Sequence, residues 1–408
     1  MKWSKVALGS QIYIKHGFAF KGEFFSDSGK YILLTPGNCH ETGGLKLKGD
    51  KEKYYVGDVP EEFILHQNDL LVVMTDLVQS APILGGALLI PENEKYLHNQ
   101  RLGLVNILNQ KELDKKYLYY LLNTHNYRSQ IKGSATGTTV KHTAPERIYR
   151  CLVPLPPLQV QQKIADILCK YDDLIENNRR RIELLERSAR LLYKEWFVRL
   201  RFPGHEHTPI IDGIPEGWEN TKITNLCYVI DGTHDSPKPV HEGYYLVTGR
   251  HITDGFIDFS KCYVITDEDH QKVMQRSRPE TGDIIFSNIG TLGSTVLVDN
   301  EFEFSIKNVA LFKPFDKNYS SFMFLYFSDP ATLRKMEIQS SGTSQKFFSL
   351  KFLRGLHILT PNKTLLRLFN DVVEPALKQR SLLHKYNQKL KQARDILLPK
   401  LMNGEIEV

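Results

Sequence analysis

One position recurs at alternating steps of four and three from Ile164 through Leu168, Tyr171, Ile175, Asn178, Ile182, Leu185, Ala189 and Leu192 to Trp196, with charges almost everywhere else. This is a coiled-coil seam, and a lone seam cannot be left in water. Pro156 and Pro157 suit the first turn of a helix and Pro203-Gly204 suits its stop. About forty residues at ~1.5 Å each make a rod of about 60 Å. A second seam is read at Phe369, Val372, Ala376, Gln379, Leu383, Tyr386, Leu390, Ala393 and Leu397; Pro375 should kink it, and an alternative register turns Arg380 and Arg394 inward. Two rods of similar length, separated by a compact domain, pack most economically on each other antiparallel. Asn178 either fixes that register or faces a polar gap.

The stretches before the two rods repeat each other. WSKVALGSQIYIKHG from Trp3 aligns without gaps on WENTKITNLCYVIDG from Trp218, NDLLVVM from Asn68 on GDIIFSN from Gly282, and GTTVKH from Gly137 on GTSQKF from Gly342. The offset shrinks from 215 to 214 to 205 while the order is kept, as expected of a duplication with loops of different length. Short apolar runs such as YILLT, DLLVVM, GGALLI, DIIF and NVALF, separated by Gly, Asn, Asp and Pro, read as strands. KELDKKYLYYLLNTHNYRSQI and YSSFMFLYFSDPATLRKM have helical spacing. Each half is therefore an α+β domain followed by a long helix. The boundaries read as a first recognition domain at 1–153, a helix at 154–201, a linker at 202–216, a second domain at 217–359, a second helix at 360–400 and a tail at 401–408.

A chain of 408 residues with 41% hydrophobic and 25% charged side chains can build several cores, which excludes global disorder. No apolar run reaches membrane-spanning length and MKWSKVALGSQIYIKHG has no secretory pattern, so neither membrane nor export is expected. Cys39, Cys151, Cys169, Cys227 and Cys262 lie far apart, indicating neither a disulfide frame nor a zinc site, and a cytoplasmic location is expected. The net charge is +6, yet residues 202–359 carry −5 and residues 360–400 carry +6. A nucleic-acid partner fits this distribution only if local loops do the recognising.

Catalytic parts are missing from the sequence. There is no NPPY- or DPPY-type loop for a flipped adenine, no Gly-rich strand-turn motif for S-adenosylmethionine and no GxxxxGK[ST] for ATP. TDEDH at Thr266 reads as a solvated acidic loop, and no catalytic residue or metal ligand is expected. Base reading needs Arg or Lys for guanine and Asn or Gln for adenine, with phosphate contacts from Lys, Thr, Ser and backbone amides. In the first domain the loop candidates are His16, Lys21, Asn38, His40, Thr75, Gln79, Gly137, Thr138, Thr139 and Lys141. In the second they are His234, Lys238, Arg250, His251, Asn288, Thr291, Gly342, Thr343, Ser344 and Lys346. The G-T-T and G-T-S loops are the strongest phosphate candidates, because glycine permits close backbone approach beside a hydroxyl and a lysine.

At PLPPLQVQQKIADILCKYDDLIENNRRRIELLE, EWFVRLRFPGHE and DGIPEGWE the chain resembles the DNA-specificity subunits of type I restriction-modification systems; DGTHDSPKP, LVTGRHITDG and LLPKLMNGEIEV extend the likeness over nearly its whole length. The resemblance implies two recognition domains held by two antiparallel helices, each domain reading one half of a bipartite duplex target. It also implies modification (methyltransferase) subunits and an ATP-driven restriction subunit as partners, with S-adenosylmethionine, ATP and magnesium bound there and no cofactor in this chain. A modification-only or orphan system is an alternative within the family, and a coiled-coil scaffold binding protein is the alternative outside it. One departure is that Asn362 and Arg367 stand where the first half has Pro157 and Gln162. If that glutamine docks a methyltransferase, the two docking sites are unequal.

Overall fold

The computed structural model describes residues 3–340 and 347–408. The chain divides into two compact units, Met1–Glu176 with Asn387–Val408, and Asn177–Tyr386.

In the first unit an antiparallel sheet runs in the order Ile12–His16, Leu102–Ile107, Leu70–Val73, Ala87–Leu89. The strand Leu70–Val73 is apolar at every position and wholly buried, because both faces are covered. One face packs on Lys115–Leu122 and His125–Ser134, whose Tyr117, Leu118, Tyr127 and Ile131 are buried with Ile12, Ile14 and Val72. Asp114 and Thr124 start these helices by accepting the amides of Tyr117 and Tyr127. The other face carries a smaller core around Leu71, Val73 and Leu102, next to the sheet Phe25–Ser26, Tyr54–Tyr55, Tyr31–Leu33, Tyr96–Leu97. Lys5–Ala7 pairs with Leu152–Pro154, so the domain closes just before its long helix begins.

The second unit repeats this plan. Its sheet runs Cys227–Asp231, Ala310–Pro314, Ile284–Phe286, Thr295–Leu297; helices Ser320–Ser328 and Pro330–Ser340 follow, and Glu219–Lys222 closes on His357–Thr360. The repeat read from the sequence is a repeat of topology. One element is longer than its counterpart: where the first domain has the single 3-10 turn Glu61–Phe63, Thr266 caps the α-helix Asp267–Arg276 by accepting the Asp269 amide. TDEDH is thus a helix start, not the solvated loop expected, and its carboxylates sit where the helix dipole favours them.

The long helices are Leu158–Tyr193 and Lys363–Met402. Each passes from one unit into the other, and they run antiparallel within each. In the first unit Arg394 pairs with Asp172 and the Asn387 amide donates to the Ile175 carbonyl at 3.1 Å. In the second, Arg380 pairs with Glu186 and the Phe369 ring lies 5.8 Å from Trp196. All ten positions of the first seam, Asn178 among them, are buried or half-buried. Regular helix stops at Tyr193, earlier than Pro203 suggested, and one wider turn, Lys194–Val198, turns Phe197 into the core beside Phe322 and Phe369. The second seam keeps Phe369, Leu383, Leu390, Ala393 and Leu397 buried or half-buried, but through its middle it follows the alternative register. Val372, Gln379 and Tyr386 are exposed, while Val373, Leu377, Arg380, Leu383 and Asn387 are buried. Two arginines hid this register because an apolar count passes over them. The helix continues through Pro375 without a break.

Each long helix is also tied to its domain by an amide, from a different position in each half. Gln161, fully buried, accepts the Asp114 amide at 2.9 Å and donates to the Glu112 and Pro156 carbonyls, both at 2.8 Å. In the second half Leu366 stands in its place, and Asn370 donates to the Asn318 carbonyl at 2.7 Å.

Candidate nucleic-acid interface

Strand register brings separate loops to one end of each main sheet. In the first domain His16 pairs with Gly103 and Val73 with Leu102, so the strands ending at His16 and Val73 and the one starting at Leu102 meet there. Thr75–Asp76 then pairs with Lys141–His142, which adds the G-T-T loop. Gly137 has φ +93°, and a Cβ there would fall 1.9 Å from the Val140 carbonyl oxygen, so the turn requires glycine. It leaves Thr138 and Thr139 exposed and Lys141 half-exposed. Arg147 braces the loop by donating to the Ser134 carbonyl at 2.8 Å and the Thr136 hydroxyl at 3.0 Å. Asp76, 1% exposed, accepts the amides of Val78 and Ile83 and so folds a turn that carries Gln79 outward.

Four sequence candidates in this domain need separate treatment. Asn38 is 1% exposed: its side-chain oxygen accepts the Thr35 amide at 3.0 Å, and its nitrogen donates to Glu52 at 2.9 Å and to the Lys46 carbonyl at 3.2 Å. It builds its turn and does not face solvent. Thr75 is likewise buried, its hydroxyl 3.1 Å from His142 Nδ1. His40 is exposed beyond Asn38, and Lys21 is exposed near Glu23 at 3.9 Å.

In the second domain Asp231 and Phe286 both pair with Ala310, and Phe286 with Thr295, which defines the corresponding end. His234 is exposed there and held from both ring nitrogens, by Asp231 at 2.7 Å and by Asn308 at 2.9 Å. Partial burial works to raise the Asp231 carboxyl, but hydrogen bonds from Arg276 and His234 outweigh it and hold the group below its ordinary range. Lys238 and Arg250 are exposed. His251 is not a free reader: its Nδ1 accepts the Thr248 amide at 3.1 Å, and burial lowers its pKa, which favours the neutral ring that can accept. Asn288, 6% exposed, donates to the Phe348 carbonyl at 2.9 Å, and the Thr291 hydroxyl donates to the Gly249 carbonyl at 3.1 Å. These two therefore tie loops together. Gly342, Thr343, Ser344 and Lys346 lie outside the described residues.

The geometry adds residues that sequence reasoning missed. Gln100 and Arg101 are exposed at the centre of the first cluster, where the Arg101 carbonyl accepts the Met74 amide at 3.0 Å. They directly precede the strand that pairs with both neighbours. Lys48 lies beside the Gly37 turn, donating to the Thr35 hydroxyl at 3.0 Å, and Lys307 donates to Ser236 at 2.6 Å. These placements follow from cross-strand register, which loop composition does not reveal. Among the described residues there is no cluster fit to hold a metal, and no helix is long and apolar enough to cross a membrane.

Residues 1–187 and 215–364 match the type I restriction modification DNA specificity domain, twice in one chain. The chain is 26% identical over 323 residues to the specificity subunit of the type I restriction enzyme MjaIX of Methanocaldococcus jannaschii, covering 75% of this chain and 72% of that one. It is 25% identical over 383 residues to the EcoBI specificity subunit of Escherichia coli, covering 88% and 76%. The crystal structure of a type I restriction-modification S subunit from M. genitalium shares the fold, with a TM-score of 0.62 at 19% identity over 98% of this chain and 96% of that one. With two copies of the domain and two paired helices, the chain belongs to the type I restriction-modification DNA specificity family, as a non-catalytic subunit that selects DNA.

Proposed function

We propose that each domain lays this end of its sheet against one half of a bipartite duplex target, with exposed side chains reading bases and the G-T-T loop holding phosphate. The observation that carries the reading is the clustering in one domain of His16, Gln79, Arg101, Thr138 and Lys141, drawn from four separate segments. Arg and Gln have the donor and acceptor geometry for guanine and adenine edges, while Thr and Lys suit phosphate. The long helices dock methyltransferase subunits, which bring S-adenosylmethionine; an ATP- and magnesium-dependent restriction subunit completes the assembly in the cytoplasm.

Methylome sequencing of cells carrying this chain with its methyltransferase partner tests the reading. Replacing residues 1–153 by the corresponding domain of a relative should change one half of the methylated motif and leave the other intact. Arg101→Ala should relax one position in that same half, at about 1–3 kcal/mol of discrimination. A change in both halves on domain exchange would refute the assignment of one half-site to each domain.

A further inference from the structure

In the second domain the hairpin Ile252–Thr253 with Phe256–Ile257 turns through Asp254 and Gly255, at φ +51° and +72°. Positive φ at both central residues is the tight turn that Asp-Gly favours. Directly before this hairpin stands the Thr248 turn with exposed Arg250, tied to the sheet end through Thr291 and Gly249. The Asp258 amide donates back to the His251 carbonyl at 2.8 Å, which ties hairpin and turn together.

What holds the hairpin comes from the long helix. Arg380, 4% exposed, donates from Nη2 to the Asp254 and Gly255 carbonyls, both at 3.1 Å, and from Nε to Glu186. Its guanidinium lies 3.7 Å over the Phe256 ring, on which His384 also stacks at 3.7 Å and 6°. One helical turn on, Lys385 donates to the Asp299 carbonyl at 3.1 Å. A Cβ on Gly255 would fall 2.4 Å from Arg380 Nη2, so a side chain there would push the guanidinium off the turn, and φ +72° strains it as well. An arginine in a seam is a costly choice where an aliphatic side chain would serve packing as well. Its planar fork, however, can grip two carbonyls, a carboxylate and a ring at once, which a lysine cannot do.

We propose that Arg380 is a positioning residue for DNA recognition by the second domain: by fastening the Asp254–Gly255 turn to the long helix it fixes where the Arg250 turn stands at the sheet end. The inference rests on the reading of that end as the DNA-facing surface. The first domain is fastened differently. There Arg128, from the domain's own helix His125–Ser134, donates to the Glu41 carbonyl at 3.1 Å and holds the corresponding turn.

The test uses the full chain with its methyltransferase partner and duplexes carrying the methylome-defined target, altered in one half or the other. Arg380→Met keeps the seam apolar and leaves Glu186 its second partner Arg190 at 3.7 Å, so thermal unfolding should not fall below the parent's. Discrimination in the second half should drop about tenfold while the first half is unchanged, and amide exchange should rise across residues 250–257. Gly255→Ala should give the same pattern, and Arg380→Lys should fail to rescue it. Arg128→Ala should give the complementary loss in the first half. Faster exchange with undiminished second-half discrimination, or equal losses in both halves, would overturn the proposal. If Arg380→Met does not fold, Gly255→Ala alone decides by the same two readings. Arg250→Ala is the control on the surface: full second-half discrimination in that variant sinks the DNA-facing reading, while the exchange data still report whether the clamp exists.

Discussion

Both recognition domains open a turn with a threonine whose backbone amide is received by a side chain three residues on, Asn38 in the first and His251 in the second. The residue just before that side chain differs in kind. Gly37 leaves room for Lys48 to bring an ammonium alongside, whereas Arg250 carries its own cation outward. The same substitution of means recurs where the long helices meet their domains, with Gln161 holding one loop and Asn370 the other. The backbone needs its orphan groups received at fixed places, and any side chain that reaches can receive them. Duplicated topology therefore does not imply duplicated chemistry, and a polar side chain at a recognition turn can be wholly occupied by the turn itself.

Removing the two capping side chains should break this comparison most sharply. Asn38→Ala takes away the amide that satisfies Thr35, Lys46 and the buried Glu52, which is 5% exposed. Leaving such groups without partners costs about 1–3 kcal/mol each, so a loss of about 4 kcal/mol is expected, against about 1 kcal/mol for His251→Ala at its half-exposed turn. Hydrogen exchange of residues 31–39 and 244–252 in the full chain reads the two domains separately. Equal losses in both would mean that the caps do equivalent work despite their different burial.

This pair also shows what the sequence could and could not reveal. The first long helix was legible because Ile164, Leu168 and Ala189 fall on one stripe and are buried there. The second was misread at its middle, since its seam buries Arg380 and Asn387, and polarity carries no sign of which way a helix faces. The repeat was legible from Trp3 and Trp218 onward because strand patterns survive insertions in loops. Site residues were legible only as a class. Asn38, Thr75, His251 and Asn288 have base-reading or phosphate-binding chemistry, yet the same donors and acceptors serve caps and loop ties; Arg101 has the chemistry and the exposure, but only register places it beside His16 and Thr75.

A smaller effect should follow acid. His98, fully buried, lies where the second domain has the apolar Ile306: the Phe18 amide donates to the His98 carbonyl as that of Thr233 does to Ile306. Burial, partly offset by the hydrogen bond to the Leu102 carbonyl, lowers the His98 pKa from 6.5 to about 4. The unfolded chain therefore takes up a proton that the folded domain refuses. The first domain should be fully stable above pH ~6.5 and lose on the order of 3 kcal/mol as the pH falls towards 4, levelling off below the folded value. His98→Ile, which copies the second domain, should flatten that slope in exchange measurements on residues 96–105. An unchanged slope would place the acid sensitivity elsewhere.

The smallest effect expected is at Lys141 of the G-T-T loop and Lys346 of the G-T-S segment, and it tests whether the two halves use these lysines alike. Lys141 stands at the close of the G-T-T loop, paired in register with Asp76, and carries no sequence information if it holds a phosphate. Lys141→Ala should weaken binding by less than about tenfold at moderate salt and reduce the steepness of the salt dependence by about one phosphate contact, with the methylated motif unchanged. Lys346 takes the same place in the sequence of the second half. If the G-T-S loop engages DNA as its counterpart does, Lys346→Ala should match Lys141→Ala in both affinity and salt slope, and the double variant should sum the two, as independent phosphate contacts do. A salt slope that moves for one lysine alone would show that the duplicated loops have separated in role as the turns at Asn38 and His251 have. A motif that changes in either variant would mean that the lysine reads a base and that the loop has been given the wrong task.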